Sequence, residues 1–414
     1  MNTKSQATQL ESFLRRYTQM WNDEIMNEYP QSIESYPREW IDLLDSLSES
    51  ELYALDSKEI LPKIEKSGFA HFMQTLRELS SIPGILEHQE IPLEAWAFNG
   101  IKKKKRHEIQ KIVPVLKTLQ DKIKFEYVID IGGGVGHLSR VLAHYHAIAS
   151  ISLDQNIEFQ KIGSERLKKY RRIEGMSEVQ FINMTFGENT DHEILKNIFK
   201  PSAVSLGLHT CGTLANTLIQ NSIDFKTAGL LSFGCCYHRM NPDKDFPLSK
   251  FYKENAFFKL NLFALSLATR SHAPMNFEDY QTKERVKYYR YALHLFLMKH
   301  FNNKFFTDVG ECHIRTYWGP FVGYIRSKLT ELNLDHHFTD DDFNHFYNDA
   351  DIQKELRVMW LCNIIRWQLG RALEVYLLLD RCIYLEEKGF KVKLEQYFNE
   401  ALSPRNIGIL ALRK

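Results

Sequence analysis

Residues 128–138 read Val-Ile-Asp-Ile-Gly-Gly-Gly-Val-Gly-His-Leu. The β-branched residues at the start predict a strand, the glycines predict a tight turn, and the residues from His137 onward predict a helix. Gly132, Gly134 and Gly136 let a ligand approach the backbone, and the following helix presents unpaired N–H groups. We therefore expect a ligand-binding turn here, with glycine used purely for tight packing as the alternative.

From residue 127 onward, short β-rich runs alternate with helical patterns. Strands are predicted at 127–130, 148–154, 179–184, 203–209 and 228–233, with helices at 137–145, 157–172, 192–199 and 213–223. This alternation is typical of a parallel α/β sheet. Two further strands, at 390–394 and 407–412, flank a turn at 403–406 and predict an antiparallel hairpin that closes the sheet.

The chain of 414 residues is long enough for roughly two or three units, or for one core with large additions. With 44% hydrophobic and 25% charged residues, its composition is that of a globular protein. We predict a Rossmann-like α/β fold, mostly parallel with a C-terminal antiparallel hairpin. The predicted segments are a helical N-terminal region (1–100), a core (101–275), a helical insertion (276–385) and the closing hairpin (386–414).

Charge and cysteine content restrict the partners and the compartment. The formal net charge of +1 creates no chain-wide field for polyanions, so any contact with nucleic acid must come from a local patch. The polar N-terminus and the absence of a run of ~18 apolar residues predict a cytoplasmic protein without a membrane partner. Six sparse cysteines agree with a reducing compartment. Nothing in the sequence indicates an oligomeric state.

The second predicted strand ends at Asp154, about 20 residues beyond the glycines, where a carboxylate can accept both ribose hydroxyls of an adenosine ligand. The alternative is that Asp154 caps the helix that follows Asn156. A dinucleotide fold expects a third glycine where His137 stands, and Asp130 suits a positively charged amino group better than a pyrophosphate. The pattern resembles motif I of class I S-adenosylmethionine-dependent methyltransferases, and we rank an NAD-dependent dehydrogenase well below that.

The fourth and fifth strands run into chemistry-bearing segments, 207–212 and 233–240, at the sheet edge that borders a ligand crevice. His209, Tyr237 and His238 are candidates for acid/base or acceptor-orienting roles, with packing an equal alternative for Tyr237 and His238. Three cysteines, Cys211, Cys235 and Cys236, lie in the same segments. Because they contain no Cys-x-x-Cys pair, we predict no metal and expect buried small hydrophobic side chains, although zinc binding stays open.

Several segments together resemble the methyltransferase-like protein 25 family. They are 104–108 (Lys-Lys-Arg-His-Glu), the glycine turn, 207–212, 234–238, 380–387 and 402–406, in that order between about residue 98 and the C-terminus. The resemblance implies a class I methyltransferase with S-adenosylmethionine as cofactor. It places Lys104, Lys105, His107 and Glu108 at the entrance to the cofactor pocket, where a lysine such as Lys105 can pair with the methionyl carboxylate. The alternative is that the basic run 102–106 is a solvated helix face. The predicted cofactor-binding residues are Lys105, Asp130, Gly132, Gly134, Gly136, Asp154 and His209.

The methyl acceptor is less well indicated. No Asp/Asn-Pro-Pro-aromatic motif follows the fourth strand, which disfavours methylation of a base amino group. The Cys-Cys-Tyr-His segment is similar to one in tRNA 2′-O-methyltransferases, so RNA is slightly favoured over protein, with residues 283–290 as a candidate basic and aromatic stripe. The alternative is a non-catalytic cofactor-binding or interaction module of the same fold.

Overall fold

The structure of the chain is a computed structural model that describes residues 2–57, 59, 61–85, 97, 99–169, 175–256, 258–270 and 275–414. The chain divides into two compact units. The sheet unit comprises residues 1–12, 80–273 and 373–414, and the helical unit comprises residues 13–79 and 274–372.

The sheet unit is built on seven strands in the order β3-β2-β1-β4-β5-β7-β6. The first five are parallel, whereas β7 pairs antiparallel with both β5 and β6. The strands are Tyr127–Ile131 (β1), Ala149–Asp154 (β2), Val179–Asn183 (β3), Ala203–Cys211 (β4), Gly229–Cys235 (β5), Phe390–Gln396 (β6) and Ile407–Arg413 (β7). The predicted Rossmann-like sheet and its closing hairpin are confirmed.

The helices follow in chain order. They are Thr3–Arg16 (α1), Thr18–Trp21 (α2), Arg38–Asp45 (α3), Glu49–Asp56 (α4), Gly68–Leu79 (α5), Lys103–Ile123 (α6), His137–His146 (α7), Ile157–Lys169 (α8), His192–Ile198 (α9), Leu214–Asp224 (α10), Pro242–Asp245 (α11), Lys250–Asn255 (α12), Leu262–Arg270 (α13), Phe277–Phe301 (α14), Ile314–Trp318 (α15), Phe321–Glu331 (α16), Asp340–Asn348 (α17), Ala350–Gln368 (α18) and Gly370–Glu387 (α19). Short 3₁₀ helices occur at Gln31–Ser35, Pro62–Ile64 and Tyr237–Arg239.

The central strands are buried on both faces, which explains their nearly continuous apolar sequence. In β4 the residues from Ala203 to Leu208 are all buried, as are all seven residues of β5. Helices α6 and α7 supply apolar residues such as Ile112, Leu116 and Leu142 to the core cluster that includes β4 and β5 side chains. Parallel sheets covered on both faces have this pattern because no strand face meets water.

The strand order reverses between β1 and β4, which are neighbours at the centre of the sheet. In open α/β sheets a ligand crevice forms at such a switch point, outside the carboxyl ends of the strands. The glycine turn follows β1, and the 207–212 segment lies at the end of β4, so both border this position.

The helical unit is held together by aromatic side chains. Trp360 lies edge-on to Tyr280 with their ring centroids 5.5 Å apart, and Trp40 contacts Phe72 at 4.9 Å. Large buried rings contribute more apolar area than any other side chain. Tyr53 lies edge-on to Tyr280 at 5.5 Å, so residues 13–79 and 274–372 pack together although they are distant in sequence.

The observed units group the chain differently from the four predicted segments, because residues 13–79 and most of the predicted insertion belong to one unit. The predicted helical run over 358–387 is divided into α18 and α19 at Leu369, next to Gly370, whose helix propensity is low. Helix α8 ends at Lys169, and the predicted extension to 172 lies outside the described residues. Among the described helices, none combines the length and apolar character needed to cross a bilayer.

Candidate functional site

The turn after β1 is shaped by glycines in the left-handed backbone region. Gly132, Gly134 and Gly136 have φ of +70°, +60° and +64°. The Gly132 N–H donates to the carbonyl of Leu153 at 2.9 Å, which ties the turn to β2. A Cβ at Gly132 or Gly134 would meet no atom within 4 Å, so these two positions present bare backbone to open space.

Gly136 differs from the other two. A Cβ there would lie 2.5 Å from the Phe181 ring, so glycine is required for packing against β3. Gly136 also caps the N-terminus of α7 with a left-handed backbone conformation. Glycine at position 136 thus has a packing role besides the predicted cofactor contact.

Asp154 faces the glycine turn from the end of β2. Its Oδ2 accepts the Gly134 N–H at 2.9 Å, and its Oδ1 accepts the Asn156 N–H at 2.8 Å. Asn156, in turn, caps α8 by accepting the N–H groups of Glu158 and Phe159. The carboxylate thus lies beside the turn and does not point into bulk water, and each oxygen keeps a lone pair for a further donor.

Asp130 is buried at the end of β1 with only 3% of its surface exposed. Its Oδ2 accepts a hydrogen bond from the Ser139 hydroxyl at 3.0 Å. Burial raises the pKa of Asp130 to about 6, although the charge of Lys105 and the Ser139 hydrogen bond oppose this rise. The cation near Asp130 is thus the chain's own Lys105. Burial lowers the pKa of Lys105, and the negative charges of Asp130 and Glu108 oppose this decrease.

His209 interrupts the pairing of β4 with β5, since the register shifts between Leu208 and Thr210. It is one of the few non-glycine residues with positive φ, at +65°. Its Nε2 lies 2.7 Å from Oε1 of Glu108, which is 1% exposed. The strained backbone therefore directs the imidazole towards a buried carboxylate.

Glu108 joins three distant parts of the sequence. Besides His209, its Oε1 accepts the Ser403 hydroxyl at 2.8 Å, and Lys104 lies 3.8 Å away. Burial favours a raised pKa for Glu108, but the hydrogen bonds and charges of His209, Ser403 and Lys105 outweigh it and leave the pKa lowered. The family resemblance had placed Glu108 at the pocket entrance and included Ser403 in a motif, but it predicted neither the contact with His209 nor that between Glu108 and Ser403.

Tyr237 is not available to a substrate, contrary to the expectation of a catalytic role. It is 1% exposed, and its hydroxyl donates to the carbonyl of Gly234 at 3.2 Å and to Oε1 of Glu374 at 3.1 Å. Burial, together with the charge of Glu374, raises its pKa well above the ordinary value. The guanidinium of Arg381 lies 5.8 Å from the centre of its ring. Tyr237 is part of a buried polar network behind the end of β5.

His238, the next residue, is exposed. Its backbone N–H donates to the Thr269 hydroxyl at 3.2 Å. Partial burial and the charges of Arg239, Arg270 and Arg405 lower the pKa of His238. Arg239 is the next residue in the sequence, whereas Arg270 and Arg405 come from two other segments, so the sequence did not reveal that their charges act on His238.

The three cysteines lie together where β4 and β5 end. Cys211 Sγ is 3.2 Å from Cys235 Sγ and 3.5 Å from Cys236 Sγ. Only Cys235 is fully buried, whereas Cys211 and Cys236 are half-buried, so the expectation of three buried hydrophobic thiols is wrong for two of them. The hydrogen bond with Cys235 lowers the pKa of Cys211 to about 6, and the pKa values of Cys235 and Cys236 are raised.

The mostly parallel sheet, the final antiparallel hairpin and the glycine turn at the switch point define the Rossmann-like fold of class I methyltransferases. Residues 104–243 match the family described as a methyltransferase domain. This match covers the glycine turn, His209 and the three neighbouring cysteines.

The protein named probable methyltransferase-like protein 25 from Homo sapiens is 25% identical over 245 residues, and that from Mus musculus is 26% identical over 249 residues. Each alignment covers 54% of this chain but only 38% and 39% of the two relatives, respectively. The chain therefore spans about two fifths of the length of these relatives. Residues 104–243 thus match a methyltransferase domain, and about half of the chain is similar to probable methyltransferase-like protein 25, which confirms the resemblance predicted from its motifs.

Two further comparisons cover less of the chain or are weaker. The human protein named glutathione S-transferase C-terminal domain-containing protein is 27% identical over 146 residues, 35% of this chain and 21% of that protein. A solved structure of a mutant of MtNAS is 11% identical and covers 55% of this chain and 80% of its own. Its TM-score of 0.22 is too low to support an argument.

Proposed function

We propose that the chain is an S-adenosylmethionine-dependent methyltransferase that binds its cofactor over the glycine turn and methylates RNA. The observation that carries the proposal is the bare backbone of Gly132 and Gly134, where an added Cβ would meet no atom within 4 Å, beside the carboxylate of Asp154. Such a cradle suits a nucleoside that approaches the main chain closely.

The residues around the turn fit the parts of this cofactor. The free lone pairs of the Asp154 carboxylate can accept the two ribose hydroxyls. Lys105, which is close enough to Asp130 for their charges to interact, supplies a cation for the methionyl carboxylate. Asp130 itself accepts a hydrogen bond from Ser139, and its charge interacts with that of Lys105. When bound, the cofactor supplies an electrophilic methyl group on a sulfonium.

His209 is the residue that we assign to proton transfer. Because Oε1 of Glu108 lies 2.7 Å from Nε2, the neutral ring carries its proton on Nε2 and leaves Nδ1 as the acceptor. Nδ1 can take the proton of an acceptor hydroxyl, and the resulting imidazolium is stabilised by the Glu108 carboxylate. Ser403 holds the carboxylate in place from the other side.

RNA as the acceptor is supported by the arginines around His238. Arg239, Arg270 and Arg405 all contribute charge at this position. Guanidinium groups bind phosphate oxygens in paired hydrogen bonds, and Arg239 and Arg270 are exposed, so these arginines suit an RNA backbone.

The stripe at 283–290 does not support RNA binding. Lys283 pairs with Asp56 at 3.0 Å, Arg290 donates to the carbonyl of Gly310 at 2.9 Å, and Tyr289 is buried. These side chains stabilise the helical unit from within, and the proposal therefore rests on the arginines of the sheet unit.

Cofactor binding is tested by calorimetric titration of S-adenosylmethionine into the purified chain and into Gly134→Asp. The parent should bind, and the variant should lose at least ~100-fold in affinity, because a side chain at φ +60° is strained and its carboxylate lies against Asp154. The matched control is Gly187→Asp, at a glycine with open space and no positive φ, which should bind like the parent. An absence of heat with the parent, or heat with NAD in place of S-adenosylmethionine, would overturn the proposal.

The acceptor is tested by incubating the chain with methyl-labelled cofactor and separate RNA, protein and metabolite fractions of a cell extract. Label should appear in RNA, and Arg405→Met should reduce it at least ~10-fold while cofactor affinity is unchanged, since the loss of a charged phosphate contact costs about 1.5–3 kcal/mol. Arg38→Met is the control, because that side chain is 81% exposed and lies in the helical unit. Label confined to protein would reject RNA, and binding without any transfer would favour a non-catalytic module.

A further inference from the structure

The ends of β4 and β5 hold a cluster of three thiols that the proposed reaction does not use. All three Sγ atoms of Cys211, Cys235 and Cys236 lie within 4.8 Å of one another. Within the described ranges, this is the only group of three potential metal ligands brought so close together. We call it the tri-cysteine cluster.

The fold builds this cluster by two devices. Cys211 and Cys235 are direct neighbours in the register of the parallel strands β4 and β5. Cys236 then adopts the left-handed conformation with φ of +50° at the start of a 3₁₀ helix, which turns its thiol back towards Cys211. A non-glycine residue in this region costs of order 1 kcal/mol, so the surrounding structure enforces the arrangement.

The segment after Cys211 is also fixed. The Gly212 N–H donates to the carbonyl of Cys235 at 2.9 Å, and a Cβ at Gly212 would lie 2.9 Å from the Cβ of Arg239. Glycine is therefore required where the two cysteine segments meet, and Arg239 packs against that junction. The backbone on which the three thiols are carried is thus fixed on both strands.

The sulfur separations distinguish between two uses of such thiols. A disulfide requires an S–S distance of about 2.05 Å, and all three cysteines are free. A tetrahedral zinc ion with Zn–S bonds of about 2.3 Å places its sulfur ligands about 3.8 Å apart. The observed distances of 3.2 and 3.5 Å, within an overall limit of 4.8 Å, are close to the second value.

We propose that Cys211, Cys235 and Cys236 form a binding site for a thiophilic divalent cation of the zinc type. Three thiolates and one such cation carry a net charge of −1, and the neighbouring guanidinium of Arg239 balances it. Each thiol releases its proton to solvent as its sulfur–metal bond forms, so no oxidant or reductant is needed.

The half-buried positions of Cys211 and Cys236 give the cation a route from the crevice, while the buried Cys235 closes the site from behind. Three protein ligands leave the fourth tetrahedral position free, as in catalytic zinc sites. The sequence left zinc binding by these cysteines open but favoured no metal, because the ligands come from two strands and lack the Cys-x-x-Cys spacing.

The test is metal analysis of the full chain after removal of metal by a chelator and addition of zinc. The parent should retain about one zinc per chain, and cobalt in its place should give a thiolate-to-cobalt charge-transfer band. Cys211→Ser and Cys236→Ser should weaken zinc binding by ~10- to 100-fold or more and lose the band. Cys312→Ser is the matched control, because Cys312 is half-buried outside the cluster and its variant should bind like the parent.

A parent chain that retains no zinc and shows no cobalt band would overturn the proposal, as would equal binding by the parent, Cys211→Ser and Cys236→Ser. A Cys211–Cys235 disulfide found by mass spectrometry in chain purified without added oxidant would also overturn it. Circular dichroism of each variant separates metal loss from unfolding. These measurements use neither S-adenosylmethionine nor RNA, so their outcome is independent of the proposed methyl transfer.

Discussion

The end of β1 and the ends of β4 and β5 border the same crevice but are built in different ways. At β1, the groups that face open space are backbone atoms of Gly132 and Gly134, supported by the nearby strand β2. At β4 and β5, the site consists of side chains, and His209 is held by Glu108, which comes from a distant segment.

This difference assigns separate tasks to the two regions. A bare backbone turn recognises a ligand by shape and N–H groups, and it does not depend on the rotamer of any side chain. A proton-transfer group needs a fixed orientation and a defined tautomer, which requires a second, buried group behind it. Substitutions at the two ends should therefore affect different measurements.

The largest effect is expected at the β4 end. His209→Asn keeps a residue type that tolerates the left-handed backbone but removes the proton acceptor. Methyl transfer should fall ~100- to 10,000-fold, the range for loss of a general base, while the dissociation constant for S-adenosylmethionine changes less than ~3-fold. Single-turnover transfer of label and calorimetry measure the two quantities.

His192→Asn is the control, since that side chain is exposed on α9. If His209→Asn instead raised the dissociation constant ~100-fold at unchanged turnover, His209 would be a cofactor ligand and the division of tasks between the two ends would fail.

A smaller effect, on stability, is expected for Tyr237→Phe. The substitution removes the hydroxyl that donates to buried Glu374 and should lower the free energy of unfolding by about 2–3 kcal/mol, because a buried carboxylate loses a donor. Turnover at a temperature where the variant is folded should be unchanged. Urea unfolding and transfer kinetics test this, and Tyr384→Phe, whose hydroxyl bonds Gln220 at the surface, should change stability by less than ~0.5 kcal/mol. If Tyr237→Phe reduced turnover and left stability at the parental value, Tyr237 would have a role in catalysis.

The smallest effect, on the pH dependence of stability, is expected at the β1 end. Because the pKa of Asp130 is raised to about 6 in the folded chain, ionisation costs stability as pH increases through this value. Asp130→Asn removes that cost while keeping an acceptor for Ser139. Relative to the parent, the variant should gain about 2 kcal/mol in free energy of unfolding between about pH 4.5 and 7.5.

Urea unfolding of both chains at the two pH values measures this change. If the difference in free energy of unfolding between Asp130→Asn and the parent stayed constant with pH, Asp130 would not titrate in this range. If the advantage of the variant increased towards acidic pH, the pKa of Asp130 would be lowered. Either result would mean that Lys105 pairs with Asp130 strongly enough to cancel the effect of burial.

The fold was predictable because its signals are local. Each parallel strand is a short apolar run, and each helix has its own spacing, so the alternation appears without knowledge of contacts. The β1 end was also largely predictable, since Gly132, Gly134 and Asp154 are identified by their order along the chain. Gly136 was the exception, because its packing against Phe181 depends on a strand more than 40 positions away.

The β4 and β5 ends were only partly predictable. The sequence identified His209 and the three cysteines as candidates but gave Tyr237 a role that its burial excludes. It did not associate the arginines around His238, which follow three different elements. Whether a polar side chain faces a crevice or a core depends on the elements packed around it, and a single sequence does not specify these.

The sequence by itself determined the order of strands and helices, the closing hairpin and the glycine turn, because hydrophobic periodicity and backbone freedom act over a few residues. Only the tertiary structure decided that Ser403 and His209 both contact Oε1 of Glu108, although Glu108 and Ser403 are 295 positions apart. It also decided that three thiols converge between two strands. Such groups assemble only after the sheet has formed, since strand register and the left-handed backbone at His209 and Cys236 set where their side chains point.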